Sequence, residues 1–382
     1  MKTIFASRET GAERCLQKDP GRKYHIDGMK GLLCFLVMLG HFWNIYRLCQ
    51  ERSGFTSYMM DLVRGTFLEN PLMIASFWLY AFLVISGYLL SATRVRSIPE
   101  LLKKTAKRFL RFFLPVFGAC VFIYLLQETV GFHTHETKAY FTNNWFQKYY
   151  QADLGWTAIF TESIRAMTAA ACSFNAPFWV IRDMFVSSVV IYVCNYVDHG
   201  RVQKNEVLPL VFFGCAVAVD RPVIIACMAG YLLGYYKDWV QKLTQRKLRF
   251  WLVSICAFCA VKLIMKWKIL PTVFDNIFLY ILVWCIMVAY VNQSEKLAAF
   301  FSAKPFLWMG KISFGVYSFH WPVICSVGSY VLIWCLENHC RTLVAFGLSL
   351  LASILCTVIL SVIYLVTVEK AADNIIRRVI KG

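Results

Sequence analysis

An all-α, polytopic membrane helix bundle is the fold this sequence predicts, and three observations predict it. Of its 382 residues, 59% are hydrophobic and only 16% charged, with a mean hydropathy of +0.55; an ordinary soluble domain has about 45–50% apolar and about 25% charged residues. The apolar residues come in runs of about 20, the length that carries a helix across a hydrocarbon core of roughly 30 Å. The basic residues fall in the short segments between those runs and alternate in density from one segment to the next. No polar stretch exceeds about thirty residues. An independent fold below about 40 residues usually needs staples, so no soluble domain is expected.

Ten runs qualify: 29–47, 71–92, 109–130, 177–197, 207–220, 222–236, 250–268, 273–291, 312–336 and 342–368. The residues before the first run are polar and lack an apolar stretch followed by a small-residue cleavage site, so the first span is expected to act as its own insertion signal. In the second, Ser86-Gly87 offers small residues that let helices approach closely. Arg108-Phe-Leu-Arg111 opens the third, followed by Pro115. Between the third and fourth runs, 131–176 is rich in aromatics (Tyr140, Trp145, Tyr149, Tyr150, Trp156), and 156–171 reads as an amphipathic helix. The fifth and sixth runs are short and separated only by Asp220-Arg221-Pro222. They read as two spans, or as a re-entrant hairpin that lowers the count to eight plus a hairpin. In the seventh, Lys262 and Lys266 are placed to snorkel, while Cys256 and Cys259 lack the partner pair that a metal or redox role requires.

With ten spans, 27 of the 40 basic residues lie on one side of the membrane. The positive-inside rule puts that side, and with it both termini, in the cytoplasm. The same distribution argues against nucleic acid as the reason for the formal charge of +18. The expected organisation is a cytoplasmic tail over 1–28, a membrane domain over 29–368 and a second cytoplasmic tail over 369–382.

Ionisable side chains inside a membrane are costly and mark function by default. Lys30 and His41 lie in the first run, eleven residues apart, which on an α-helix is about 20° in azimuth and about 16 Å in height. His41 then sits about 20 Å above the inner boundary. Asp183, entering from the other side in the fourth run, lies about 9 Å down and so at nearly the same level. A carboxylate beside an imidazole fixes its tautomer and stabilises the imidazolium, as a general base acting on a hydroxyl requires. Because Arg182 and Asp183 are adjacent, they point about 100° apart and only one can face His41; the alternative is a pair that merely neutralises buried charge. Arg108 and Arg111, three apart, share a helix face that can grip phosphates, although positive-inside topology would also explain them. Ser313, Tyr317 and His320 recur at i, i+4 and i+7 on one stripe of the ninth run. His133 and His135 lack the closed ligand set of a zinc site, and no metal is expected.

These segments together resemble the membrane acyltransferase family 3. His25-Ile-Asp-Gly-Met-Lys30-Gly, with ten residues before His41, is similar to the family's Arg/Lys-x10-His signature, with Lys where Arg is commoner. Phe82-Leu-Val-Ile-Ser-Gly-Tyr-Leu resembles its second-helix motif, Arg108-x-x-Arg111 its cytoplasmic Arg-x-x-Arg, and Gly310-Lys-Ile-Ser-Phe-Gly-Val-Tyr-Ser-Phe-His-Trp-Pro322 its late Gly-x-Ile-Ser run. Pro177-Phe-Trp-Val-Ile-Arg-Asp183 looks like a variant of the fourth-helix segment. The resemblance extends from about residue 24 to about 370.

The resemblance implies an O-acyltransferase that takes an acyl group, usually acetyl, from cytoplasmic acyl-CoA. The acceptor is a hydroxyl of a cell-surface polysaccharide or lipid-linked glycan, and the setting a bacterial inner membrane. It implies Lys30 and His41 as the catalytic pair, oriented by Asp183 or Arg182, with Arg108 and Arg111 at the donor's phosphates. Ser313, Tyr317 and His320 are expected on the donor side. No SGNH-type domain follows the last run, so transfer is expected within the membrane unit. A transporter of a small organic anion or lipid-linked sugar is the alternative, since the same buried charges could line its path.

Overall fold

The computed structural model describes residues 22–47, 75–140, 145–199, 207–266 and 276–381. Among them every regular element is helical: α1 (Tyr24–Arg47), α2 (Ala75–Leu90), α3 (Ile98–Thr129), α4 (Ala158–Thr168), α5 (Trp179–His199), α6 (Leu208–Ala218), α7 (Pro222–Tyr235) and α8 (Lys237–Gln245) in the first part. The second part holds α9 (Lys247–Lys266), α10 (Ile277–Gln293), α11 (Glu295–Phe301), α12 (Lys304–Lys311), α13 (Ser313–Val323), α14 (Ser329–Glu337), α15 (Thr342–Tyr364) and α16 (Lys370–Lys381). By length and composition five stretches among the described residues can cross a membrane: Tyr24–Ile45, Ile98–Thr129, Ala176–His199, Ser313–Glu337 and Leu343–Val379. α10 and α11, bent by 98° at their junction, would together make a sixth. The runs at 71–92, 207–220 and 222–236 appear as the shorter apolar helices α2, α6 and α7. The outer ends of several predicted runs (71–74, 267–268 and 273–275) lie outside the described residues.

Helix boundaries move where polar chemistry extends an apolar run. α1 begins at Tyr24 because Asp27 sits in its first turn, where a carboxylate complements the helix dipole, and Arg22 pairs with it at 2.6 Å. Residues 24–28 are therefore helical and continuous with the span. α3 starts at Ile98, well before the apolar run at 109–130: Ser97 caps it by accepting from the Glu100 N–H at 3.3 Å, and Pro99 lies in its first turn. At the other end, α15 runs through a π-turn over Leu365–Glu369 into α16. Residues 370–381, expected only as a tail, form an amphipathic helix that packs on α3 with Ala372 and Ile376 buried.

Close approach is decided by small residues. α2 crosses α7 so tightly that a Cβ at Gly87 would lie 1.8 Å from the Cys227 carbonyl oxygen, and one at Gly230 would lie 1.9 Å from that of Val84. The expectation for Ser86-Gly87 thus holds. α1 occupies the middle of the bundle, packed on α2, α11, α12 and α13.

α13 carries a proline, and the lost helical bond is replaced from outside the helix. Pro322 has no N–H, so the Ser318 carbonyl four residues back loses its helical partner. The side chain of Asn175, from the segment before α5, donates to that carbonyl at 2.8 Å. A π-turn over Ile324–Gly328 follows, and the hydroxyls of Ser326, Ser329 and Ser349 donate to the carbonyls of Pro322, Ile324 and Gly328.

Candidate active site

The polar residues of α1 and α13 run side by side. Lys30 on α1 faces Ser313 and Tyr317 on α13; nearly three turns above Lys30, His41 faces His320. At the lower level a chamber of about 170 Å³ opens between α1, α2, α3, α5 and α13. Lys30, Cys34, Ser86, Arg108, Ser313 and Tyr317 supply its polar lining, and Leu33, Val37, Leu79, Phe82 and Phe112 supply most of the rest. The Lys30 ammonium lies 5.6 Å from the Phe82 ring centroid, and no carboxylate among the described residues pairs with it. Arg108 donates to the Ser188 hydroxyl at 3.0 Å and stacks its guanidinium over Phe112. Two cations thus converge on a small, largely apolar volume, which suits an anion or a developing negative charge.

The chamber stops at Val37 and Tyr317, about one helical turn beneath His41 and His320. Tyr317 forms the boundary: its hydroxyl donates to the Pro177 carbonyl, and its ring centroid lies 6.2 Å from that of His320. Above it, His41 is ringed by aromatics. His320 stacks at 5.2 Å between centroids, Trp145 stacks in parallel at 6.3 Å, and Trp321 meets it edge-on at 5.4 Å.

Trp145 brings the aromatic segment 131–176 directly over the imidazole, and Tyr149 packs against Trp321 at 5.2 Å. Tyr150 anchors that segment. Its hydroxyl donates to the Phe174 carbonyl at 2.7 Å, its ring stacks on Phe132, and burial pushes its pKa well above the usual phenol range, so it stays a neutral donor. Residues 141–144 of the segment lie outside the described residues. The helix expected at 156–171 is α4, with Trp156 and Phe160 exposed.

Asp183 and Arg182 do not reach His41. The Arg182 guanidinium donates to the Asp183 carboxylate at 2.8 Å, and no hydrogen bond joins either residue to an imidazole. Asp183 is buried on α5, whose rotation is set by its packing on α3 and α7. Neither group joins the His41 site, which corrects the expectation that one of them orients His41. Depth is readable from sequence position, whereas azimuth is not.

Arg108 and Arg111 do share a cavity, one of about 300 Å³ between α3, α13 and α16, but Glu369 and Asp373 line it too. A larger cavity lies elsewhere. A vestibule of about 800 Å³ is lined by Arg22, Lys23, Arg94 and Lys237, with Asp27, Tyr88, Asn195, Asp198, His199 and Tyr235 among the remainder. It adjoins the chamber along α1 and α2: Asp27 and Tyr88 face the vestibule, while Lys30 and Ser86 face the chamber, within a helical turn of them. Sequence reading assigned these four cations to topology alone. Their convergence depends on three distant chain segments and has no local signal. Asn175 was also missed, though a proline four residues after Ser318 announces a carbonyl in need of a donor. Among the described residues no group of three or more His, Cys, Asp or Glu side chains could hold a metal.

Neither a curated protein nor a solved structure matches the chain. A family model described as an acyltransferase domain matches residues 23–364, from the first turn of α1 to the end of α15, and so takes in both the Lys30 chamber and the His41–His320 contact. The chain therefore belongs to acyltransferase family 3 and is a multi-pass membrane acyltransferase.

Proposed function

We propose that this protein moves an acyl group, usually acetyl, from cytoplasmic acyl-CoA to a hydroxyl of a surface polysaccharide or lipid-linked glycan. The setting is a bacterial inner membrane crossed ten times, with both termini in the cytoplasm. One observation carries the reading: a cation-lined vestibule, a small chamber with two converging cations, and a buried imidazole follow one another up the same face of α1. Acyl-CoA has matching parts in the same order, namely a polyanionic nucleotide, a slender arm and a thioester.

The nucleotide would occupy the vestibule, with Arg22, Lys23, Arg94 and Lys237 facing its phosphates and Tyr88 and Tyr235 beside the base. Arg108, with Arg111 next to it, would take the phosphate nearest the arm, and Ser313 would bond the arm's amides. Lys30 would stabilise the negative charge that builds on the thioester oxygen or the departing sulfur, an effect worth several kcal/mol in a water-poor site. With Tyr317 swung aside, the acyl carbon comes within about one turn of His41, which takes the acceptor's proton or carries the acyl group. The aromatic segment over His41 offers ring faces on which a sugar can stack. Arg182 and Asp183 balance each other's charge on α5.

A transporter would also place charges in a membrane, but membership of an acyltransferase family favours group transfer. Purified protein in nanodiscs with radiolabelled acetyl-CoA, and membranes of a deletion host as acceptor source, tests the reading. Label is expected to enter alkali-labile glycan esters, and His41→Ala is expected to abolish this at unchanged protein level. Unbroken thioester with wild-type protein would overturn it.

A further inference from the structure

His320 is not merely packed against His41; its environment fixes which of its nitrogens carries hydrogen. Nδ1 lies 2.9 Å from the Val316 carbonyl oxygen. A carbonyl can only accept, so Nδ1 is the protonated nitrogen and Nε2 of the neutral ring presents a bare lone pair. His320 is fully buried, and Nε2 has no partner among the described residues. Nδ1 of His41 and the indole Nε1–H of Trp321 are likewise buried and unpartnered, and the His41 ring touches both other rings. Buried polar atoms are normally paired, so three orphans on rings in contact are partners on offer to a polar group. That group is defined by the atoms: it must donate to a lone pair and accept from an indole N–H. A hydroxyl does both.

We propose that His320 and Trp321, with His41, form the receiving site for the acceptor hydroxyl, and that His320 Nε2 is the base. This rests on the acyltransferase reading and, within it, moves acceptance of the hydroxyl proton from His41 to His320 and leaves His41 a proton relay. The hydroxyl proton passes to His320 Nε2 as the oxygen's electron pair forms the C–O bond to the acyl carbon. Trp321 N–H donates to the reacting oxygen. The C–S bond breaks with its pair going to sulfur, and the proton moves from His320 through His41, whose ring it stacks on, to give the free thiol. The products are ester and CoA-SH, with no proton gained or lost.

Three variants test this in nanodiscs, using radiolabelled acetyl-CoA and deletion-host membranes as acceptor. In His320→Asn the amide nitrogen replaces Nδ1 and keeps the bond to Val316, but Nε2 is gone. Its kcat is expected to fall by at least about 100-fold, with acetyl-CoA affinity within about threefold of wild type. Trp321→Phe, which removes the N–H and keeps an aromatic ring, is expected to lose about tenfold or more in kcat. His320→Ala is expected to regain activity with added imidazole, as a purely structural histidine would not. Transfer by His320→Asn within about threefold of wild type, or parallel loss of transfer and acetyl-CoA binding without imidazole rescue, would overturn the assignment while leaving the acyltransferase reading intact. A wild-type protein that never cleaves the thioester would overturn both.

Discussion

Asn175 donates its side-chain N–H to the Ser318 carbonyl at 2.8 Å, replacing the helical partner that Pro322 removes. Through that one bond, the segment entering α5 is tied to α13 two residues before His320. Asn175→Ala is expected to leave a buried carbonyl unsatisfied at a cost of about 1–3 kcal/mol. Thermal unfolding in detergent should show a lower midpoint, and transfer should drop because His320 loses its placement. An unchanged midpoint would mean that water replaces the amide.

Lys30 faces the chamber in no direct ion pair with a carboxylate among the described residues. Lys30→Met keeps the length and apolar stem and removes the charge. It is expected to lower kcat by about 100-fold or more, with Lys30→Arg retaining part of the rate because the cation survives. Equal activity of Met and Arg variants in the transfer assay would remove charge stabilisation from the account.

The vestibule and the Arg108–Arg111 cavity make different demands on donor binding. Arg94→Glu combined with Lys237→Glu is expected to raise the KM for acetyl-CoA by about tenfold while leaving kcat at saturation unchanged, and the wild-type KM should climb with ionic strength. Arg111, exposed and sharing its cavity with Glu369 and Asp373, should show a smaller effect on reversal. If Arg111→Glu raises KM and the vestibule pair does not, the nucleotide lies on the α16 side.

Packing between α2 and α7 leaves no space for a methyl group. Gly87→Ala or Gly230→Ala is expected to cost about 1–3 kcal/mol through forced backbone shifts, read as less folded protein in size-exclusion profiles. Gly214→Ala on α6, with nothing within 4 Å of its Cβ position, is the control expected to behave as wild type.

Much of this protein was legible in its sequence. The cost of polar groups in hydrocarbon forces apolar runs, so helix positions could be read directly; helix periodicity placed Lys30 and His41 on one face, and Ser313, Tyr317 and His320 on one stripe. What the chain could not state locally was how each helix turns about its own axis. That rotation is decided by where glycines let backbones touch and where Pro322 leaves a carbonyl for Asn175, and it hands His41 a second imidazole while leaving Asp183 to Arg182. The vestibule cations, Asn175 and the cover of Trp145 belong to the same class. Each is an ordinary residue in sequence, because a site built from distant segments exists only once packing has brought them together.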